Sequence, residues 1–330
     1  MEKSLKKILS GIVDYAGLFP PANLPFEAAM AEYKKYRHSD YDWMLSRFII
    51  SFEQFGELKM LSGSENLLPD PLRLSITAAP TDSAEEYYSL VKDIVTNTLQ
   101  LHEETPELLQ TQILELKLPK QVLKRSNDEE ILNLIEKTVQ AVCKNPLLPY
   151  HIFFEVPGFE FDIHLAEKVI KAISTHNKSI EENELEHYKF SGFKIRCGGV
   201  KAYQFPPSGY LSAAIICARD AGVPLKFTAG LHHPVRLFHS SVQTKMYGFF
   251  NVFGAGILAH TQNLSIEKTA EILEDEDSGS FTFTSQYFEW KGLKASLAEI
   301  QKLRKKLLIS FGSCSMAEPV EDLQELGLIE

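Results

Sequence analysis

Residues 192–200 read GFKIRCGGV, and residues 223–236 read VPLKFTAGLHHPVR. Each stretch holds a short apolar run, each run carries a lysine, and each ends in small residues. Successive side chains of a strand point to opposite faces. Lys194 and Arg196 therefore share one face of the first run, with Phe193, Ile195 and Cys197 on the other. Lys226 and Thr228 share a face of the second. A surface strand alternates in the same way, so the endings matter. Gly198-Gly199 and Ala229-Gly230 allow backbone to approach a ligand closely, and His232 and His233 follow directly.

The same pattern recurs outward from there. Strands are expected at 12–17, 47–52 (RFIISF), 72–77 (LRLSIT), 112–117 (QILELK) and 151–156 (HIFFEV). An eighth is expected at 248–253 (GFFNVF). Helical spacing or capping residues lie between them: 26–37, 53–61, a long helix capped by Asp82 or Ser83, and a Ser126/Glu129 capping box. Further helices are expected from Asp162 to His176 and over 208–221, the latter ending at Gly222. The Glu-rich stretch 180–188 reads as a surface excursion. Eight strands alternating with helices predict a (β/α)8 TIM-type barrel over 1–277, with 278–330 as a C-terminal helical extension packing on it. That extension is expected to hold a hairpin, an amphipathic helix over 293–308 and a loop of small residues around Cys314 that folds over the barrel mouth. An open doubly wound sheet is the runner-up, but no G-x-G-x-x-G follows the first strand.

Composition narrows the class. The 330 residues carry 34 Lys+Arg against 44 Asp+Glu, a formal charge of -10. An acidic chain is a poor nucleic-acid binder, and the basic cluster KLRKK (302–306) reads as the solvated face of a helix. Cys143, Cys197, Cys217 and Cys314 are far apart, with no metal or redox spacing, which suggests free thiols and a reducing compartment. No apolar run approaches membrane length. Asp14 interrupts the first apolar run, and no A-x-A cleavage pattern follows. The expectation is a cytoplasmic protein with a small-molecule partner, no nucleic-acid or membrane partner, and homo-oligomerisation left open.

A barrel keeps its site at the carboxyl ends of the strands. The polar residues there are Asp14, Ser51, Glu53, Thr77, Glu115, Lys117, Glu155, Lys194, Arg196, Lys226, Thr228 and Asn251. Ionisable groups inside a barrel are costly unless paired and used. Two lysines facing one lumen suggest covalent chemistry, because a neutral lysine forms a Schiff base with a carbonyl. Either Lys194 or Lys226 could then be the nucleophile with the other as its tuning partner, Glu115 and Glu155 as proton handlers and His232 and His233 as acid/base. Arg196, Lys117, Thr228, Gly198, Gly199, Gly230, Asn251 and Asp14 would hold a small, anionic substrate.

Two resemblances bear on this. FKIRCGG and LKFTAG, after HIFFEVPG, resemble the last strands of class I aldolases of the deoxyribose-phosphate aldolase type. That resemblance implies a Schiff-base lysine on strand 6, Lys194, four residues before Gly198, and a second lysine on strand 7, Lys226. Glu115 stands where that family has an aspartate. Over nearly the full length, DYAGLFPPA (14–22), KIRCGG (194–199), KFTAGLHHPVR (226–236) and GSCS-x-x-EPVEDL (312–323) resemble a family of uncharacterised bacterial proteins.

Two other functions remain open at this level. His232 and His233 with Asp14 and Glu155 offer mixed N and O ligands for a divalent metal such as Zn or Mn. That set resembles metal-dependent aldolase and lyase barrels, although the spacing is His-His rather than His-x-His. The lysine mechanism needs no cofactor. The third possibility is a non-catalytic barrel that binds a small ligand.

Overall fold

The structure, a computed structural model, describes residues 1–62, 71–105, 108–125, 127–144, 151–181 and 190–330. Eight parallel strands close a barrel. They are β1 (Val13–Tyr15), β2 (Leu45–Ser51), β3 (Leu72–Thr77), β4 (Leu109–Lys117), β5 (His151–Glu155), β6 (Gly192–Arg196), β7 (Leu225–Thr228) and β8 (Leu308–Ser313). β8 lies between β7 and β1 and seals the ring. The fold is therefore the expected TIM-type barrel and not the open sheet. Each of the first seven strands falls within two or three residues of its alternating run. Outward residues such as Phe48, Leu74, Phe154, Phe193 and Phe227 are buried against the surrounding helices and form most of the core.

Local chemistry explains the helix boundaries. Ser83 and Glu86 form a capping box that starts the helix Ala84–Glu104. The helix Ser208–Ala221 ends at Gly222 with φ +67°, the left-handed cap that glycine adopts without strain. Ser126 lies outside the described residues, and the helix Asp128–Val142 is capped by Asn127, whose side chain accepts from the Glu129 amide. Ile180 and Glu181 end the helix Ile163–Glu181, and the rest of the 180–188 stretch lies outside the described residues. No helix among the described residues is long and apolar enough to cross a membrane.

The eighth strand is a correction. Residues 248–253 are not a strand; Gly248 caps a helix, Phe249–Gln262. Phe249, Phe250, Val252, Phe253, Ile257 and Leu258 are all buried, so the run has no polar face, and a short apolar run without alternation fits a buried helix as well as a strand. This helix packs closely on the barrel: a Cβ at Gly256 would lie 2.9 Å from Leu308 Cδ2. The barrel thus closes inside the stretch expected to be an extension, and no barrel–extension boundary falls at 277/278. Ahead of β8 lie a three-stranded antiparallel sheet (Phe281–Phe283, Tyr287–Trp290, Leu293–Ser296) and the helix Leu297–Lys306. The helix expected over 293–308 is therefore shorter, starting behind the Ser296/Glu299 capping box.

The KLRKK cluster is only partly a solvated face. Lys302, Lys305 and Lys306 are exposed, but Arg304 turns inward. Its guanidinium donates to the Ile8, Ile309 and Ser10 carbonyls at 2.8, 2.6 and 3.1 Å and lies 4.9 Å from the Phe253 ring. Burial pushes this guanidinium down to about 9.

Candidate active site

Parallel register sets the site. It pairs Lys117 with Glu155, Glu155 with Lys194, and Lys194 with Lys226 across β4 to β7. Glu155, Lys194 and Lys226 therefore point inward side by side. The result is an alternating charge chain. Arg47 donates to Asp14 at 3.2 Å, and Asp14 also accepts a short bond from Lys226. Lys226 Nζ lies 3.3 Å from Glu115 Oε1, and Glu115 Oε2 lies 2.7 Å from Lys194 Nζ. Lys194 Nζ is 2.9 Å from Glu155 Oε2. Arg196 ends the chain, 3.6 Å from Glu155 Oε1.

Burial makes each of these charges depend on its neighbours. Burial alone would push the Glu115 carboxyl up. Lys194, Lys226 and a 2.5 Å hydrogen bond from Ser75 outweigh it and hold Glu115 down at about 2. Asp14 and Glu155 follow the same logic and are held below the usual carboxylate range, Asp14 by Lys226 and Arg47, Glu155 by Lys194, Arg196 and Lys117. For Lys194 burial opposes the charge, but Glu115 and Glu155 together raise it above an ordinary lysine. Lys117 is the exception. Its ammonium donates to the Ala78 carbonyl at 3.2 Å and has no carboxylate within ion-pair distance among the described residues. Burial, with Lys194 and Arg196 nearby, lowers it.

Above this chain lies a cavity of about 300 Å³ at the carboxyl ends of the strands. Glu115, Lys117, Lys194, Arg196, Thr228 and His232 line it, together with Gly199 and Gly230. Gly198 is not part of the lining. It and Gly230 pack on each other instead: a Cβ on Gly230 would meet the Gly198 Cα at 2.8 Å, and one on Gly198 would meet Phe205 at 2.5 Å. Ala229 and Gly230 both have positive φ, +60° and +70°. Gly230→Ala adds left-handed strain to that clash and is expected to lower stability by about 1–3 kcal/mol, read from the urea midpoint at unchanged slope.

The two histidines separate. His232 lines the cavity and donates through Nδ1 to Glu318 Oε2 at 2.9 Å, which leaves Nε2 as the acceptor of the neutral ring. His233 turns away, donates to Asp322 Oδ2 at 2.6 Å and stacks on His239. Both carboxylates come from the helix Ala317–Glu325, so the chain after β8 does reach the mouth, and Cys314 lines the cavity there. Asn251 is a correction: it sits in the helix Phe249–Gln262, bonded to the Arg236 amide and the Ile272 and Asp275 carbonyls, away from the lumen. His232, His233, Asp14 and Glu155 do not assemble as a metal set, and no group of three His, Cys, Asp or Glu among the described residues has that arrangement. Asp14 lies below the cavity lining, bound to Lys226, Arg47 and Ser310.

Three members of the charge network were not singled out from sequence: Arg47, Ser75 and Ser310. The first two carried a signal. Arg47 alternates with Ser51 on β2, and Ser75 with Thr77 on β3. Ser310 carried none, because β8 itself was not recognised. Comparison of the chain with protein-family models and with curated proteins gave no match.

Proposed function

We propose that this chain is a lyase of the aldolase type, acting on a small anionic carbonyl compound through an iminium formed at Lys194. The observation that carries the reading is the setting of Lys194 Nζ: on the cavity floor, between Glu115 at 2.7 Å and Glu155 at 2.9 Å, with the second amine, Lys226, on the same Glu115. A lysine nucleophile needs an acceptor for its proton and a donor for the departing hydroxyl. Glu155 Oε2, 2.9 Å from Nζ, suits both.

The Lys194 ammonium passes one proton to Glu155. The free amine adds to the carbonyl carbon, and its second proton moves to the new oxygen, giving a carbinolamine. Glu155 returns its proton to that hydroxyl, which leaves as water while the nitrogen lone pair forms the iminium. The carbon–carbon bond beyond the adjacent carbon then breaks, and its electron pair flows into the iminium to give an enamine. His232 Nε2 takes the proton of the β-hydroxyl as it becomes the carbonyl of the released fragment. His232 passes that proton to the enamine carbon, and water adds to the resulting iminium, whose hydrolysis frees Lys194. Lys117 and Arg196 supply the positive charge for an anionic group, and a Lys117 without a carboxylate partner is suited to receive one.

Incubation with acetaldehyde, glycolaldehyde or pyruvate and sodium cyanoborohydride is expected to leave a secondary-amine adduct on Lys194, located by peptide mass spectrometry. Its raised pKa keeps Lys194 protonated at neutral pH, so the adduct rate is expected to climb about tenfold per unit from about pH 7 to pH 10. An adduct on Lys117 whose rate levels off at lower pH than an ordinary lysine's would move the nucleophile to the amine that burial lowers. No adduct with any carbonyl would sink the covalent reading and leave a ligand-binding barrel.

A further inference from the structure

Lys194 and Arg196 stand in a wall between two cavities. The second, of about 320 Å³, lies under the loop 156–162 on the β5 side and shares with the first only these two residues. Its lining is of another kind. Val156, Phe161, Leu165, Phe193 and the Tyr210 ring present an apolar wall, and exposed Lys120, Lys124, Glu160 and Asp162 form a charged rim.

The loop is built to make this wall. Gly158 has φ +102°, and Phe161 has φ +48°. A phenylalanine held in the left-handed region costs on the order of 1–3 kcal/mol and persists only where its surroundings enforce it. Here the strained residue sets its ring against Tyr210, with centroids 5.4 Å apart. Two residues earlier, Phe159 takes the Arg196 guanidinium at 5.3 Å. One loop thus fixes the shared arginine and lines the second cavity. The Tyr210 hydroxyl has no hydrogen-bond partner among the described residues.

A reaction that joins or splits two carbonyl pieces needs a seat for each, on either side of the reacting carbon. The first cavity gathers the cationic groups Lys117, Lys194 and Arg196, and the second offers one apolar wall beneath a charged rim. We propose that the second cavity seats an aromatic or branched aliphatic part of the substrate, whose reacting carbonyl lies at Lys194 and whose anionic part lies in the first. This rests on the lysine reading above.

The probes are 3-phenylpropionate and acetate, titrated against the protein by NMR. Wild type is expected to bind 3-phenylpropionate at least about tenfold more tightly than acetate, the size of discrimination that filling an apolar pocket gives. Leu165→Trp, which fills the second cavity, is expected to remove that preference and leave acetate binding unchanged. Phe161→Ala opens the wall instead and is expected to reduce the preference about fivefold, so a misfolded first variant does not end the test. Equal affinities in wild type, or a preference that survives Leu165→Trp, would overturn the second seat. Acetaldehyde trapping on Lys194 needs only the first cavity and is read separately. A preference with no trapping supports the seat and overturns the covalent reading alone.

Discussion

Lys226→Met is expected to lower the unfolding free energy by about 3–5 kcal/mol, the usual result of removing one partner from a buried charge set. Lys226 is fully buried and holds both Asp14 and Glu115. Methionine keeps most of the volume, so the loss comes from charge. Asp14 is left with Arg47 and Ser310, and Glu115 with Lys194 and Ser75. Urea unfolding measures it. Lys117→Met is the comparison: that lysine lines the cavity without a carboxylate partner, so its loss is expected to change stability by no more than about 1 kcal/mol. Equal losses in both variants would show that the charge network contributes little to stability.

Lys194→Met is expected to abolish the trapped adduct and to lower turnover of any substrate found by at least about 10³-fold, as removal of a covalent nucleophile does. It also strips Glu115 and Glu155 of their shared cation, with a stability loss of about 3 kcal/mol. Lys194→Arg separates the two effects. It retains a cation for the two carboxylates but cannot form the iminium, so stability is expected to recover in part while the adduct stays absent. An adduct of undiminished yield in Lys194→Arg would place the nucleophile elsewhere.

Most of the lumen was legible from alternation alone. Glu115, Glu155, Lys194 and Lys226 each sit at an inward position of a short strand, and such a position can be read from a handful of residues. The failures share one cause. GFFNVF is apolar on every side, so its local pattern is equally a buried helix, and Asn251 went with it to the wrong element. Leu308–Ser313 follows a basic helix with no turn signal and ends in small residues, so it reads as a loop. The Gly198–Gly230 contact joins two loops that sequence can only treat separately.

By itself the sequence determined the repeating strand–helix order and which side chains face inward, because a period of two is a property of neighbours along the chain. Tertiary structure alone decided which strand closes the ring, which charge meets which, and which histidine reaches the cavity. Those outcomes depend on residues far apart in the chain: Lys226 meets Asp14 across 212 positions, and Ser310 meets Asp14 across 296. The charge chain follows from parallel register around a closed barrel, and register is fixed by hydrogen bonding between strands rather than by any one strand's own residues.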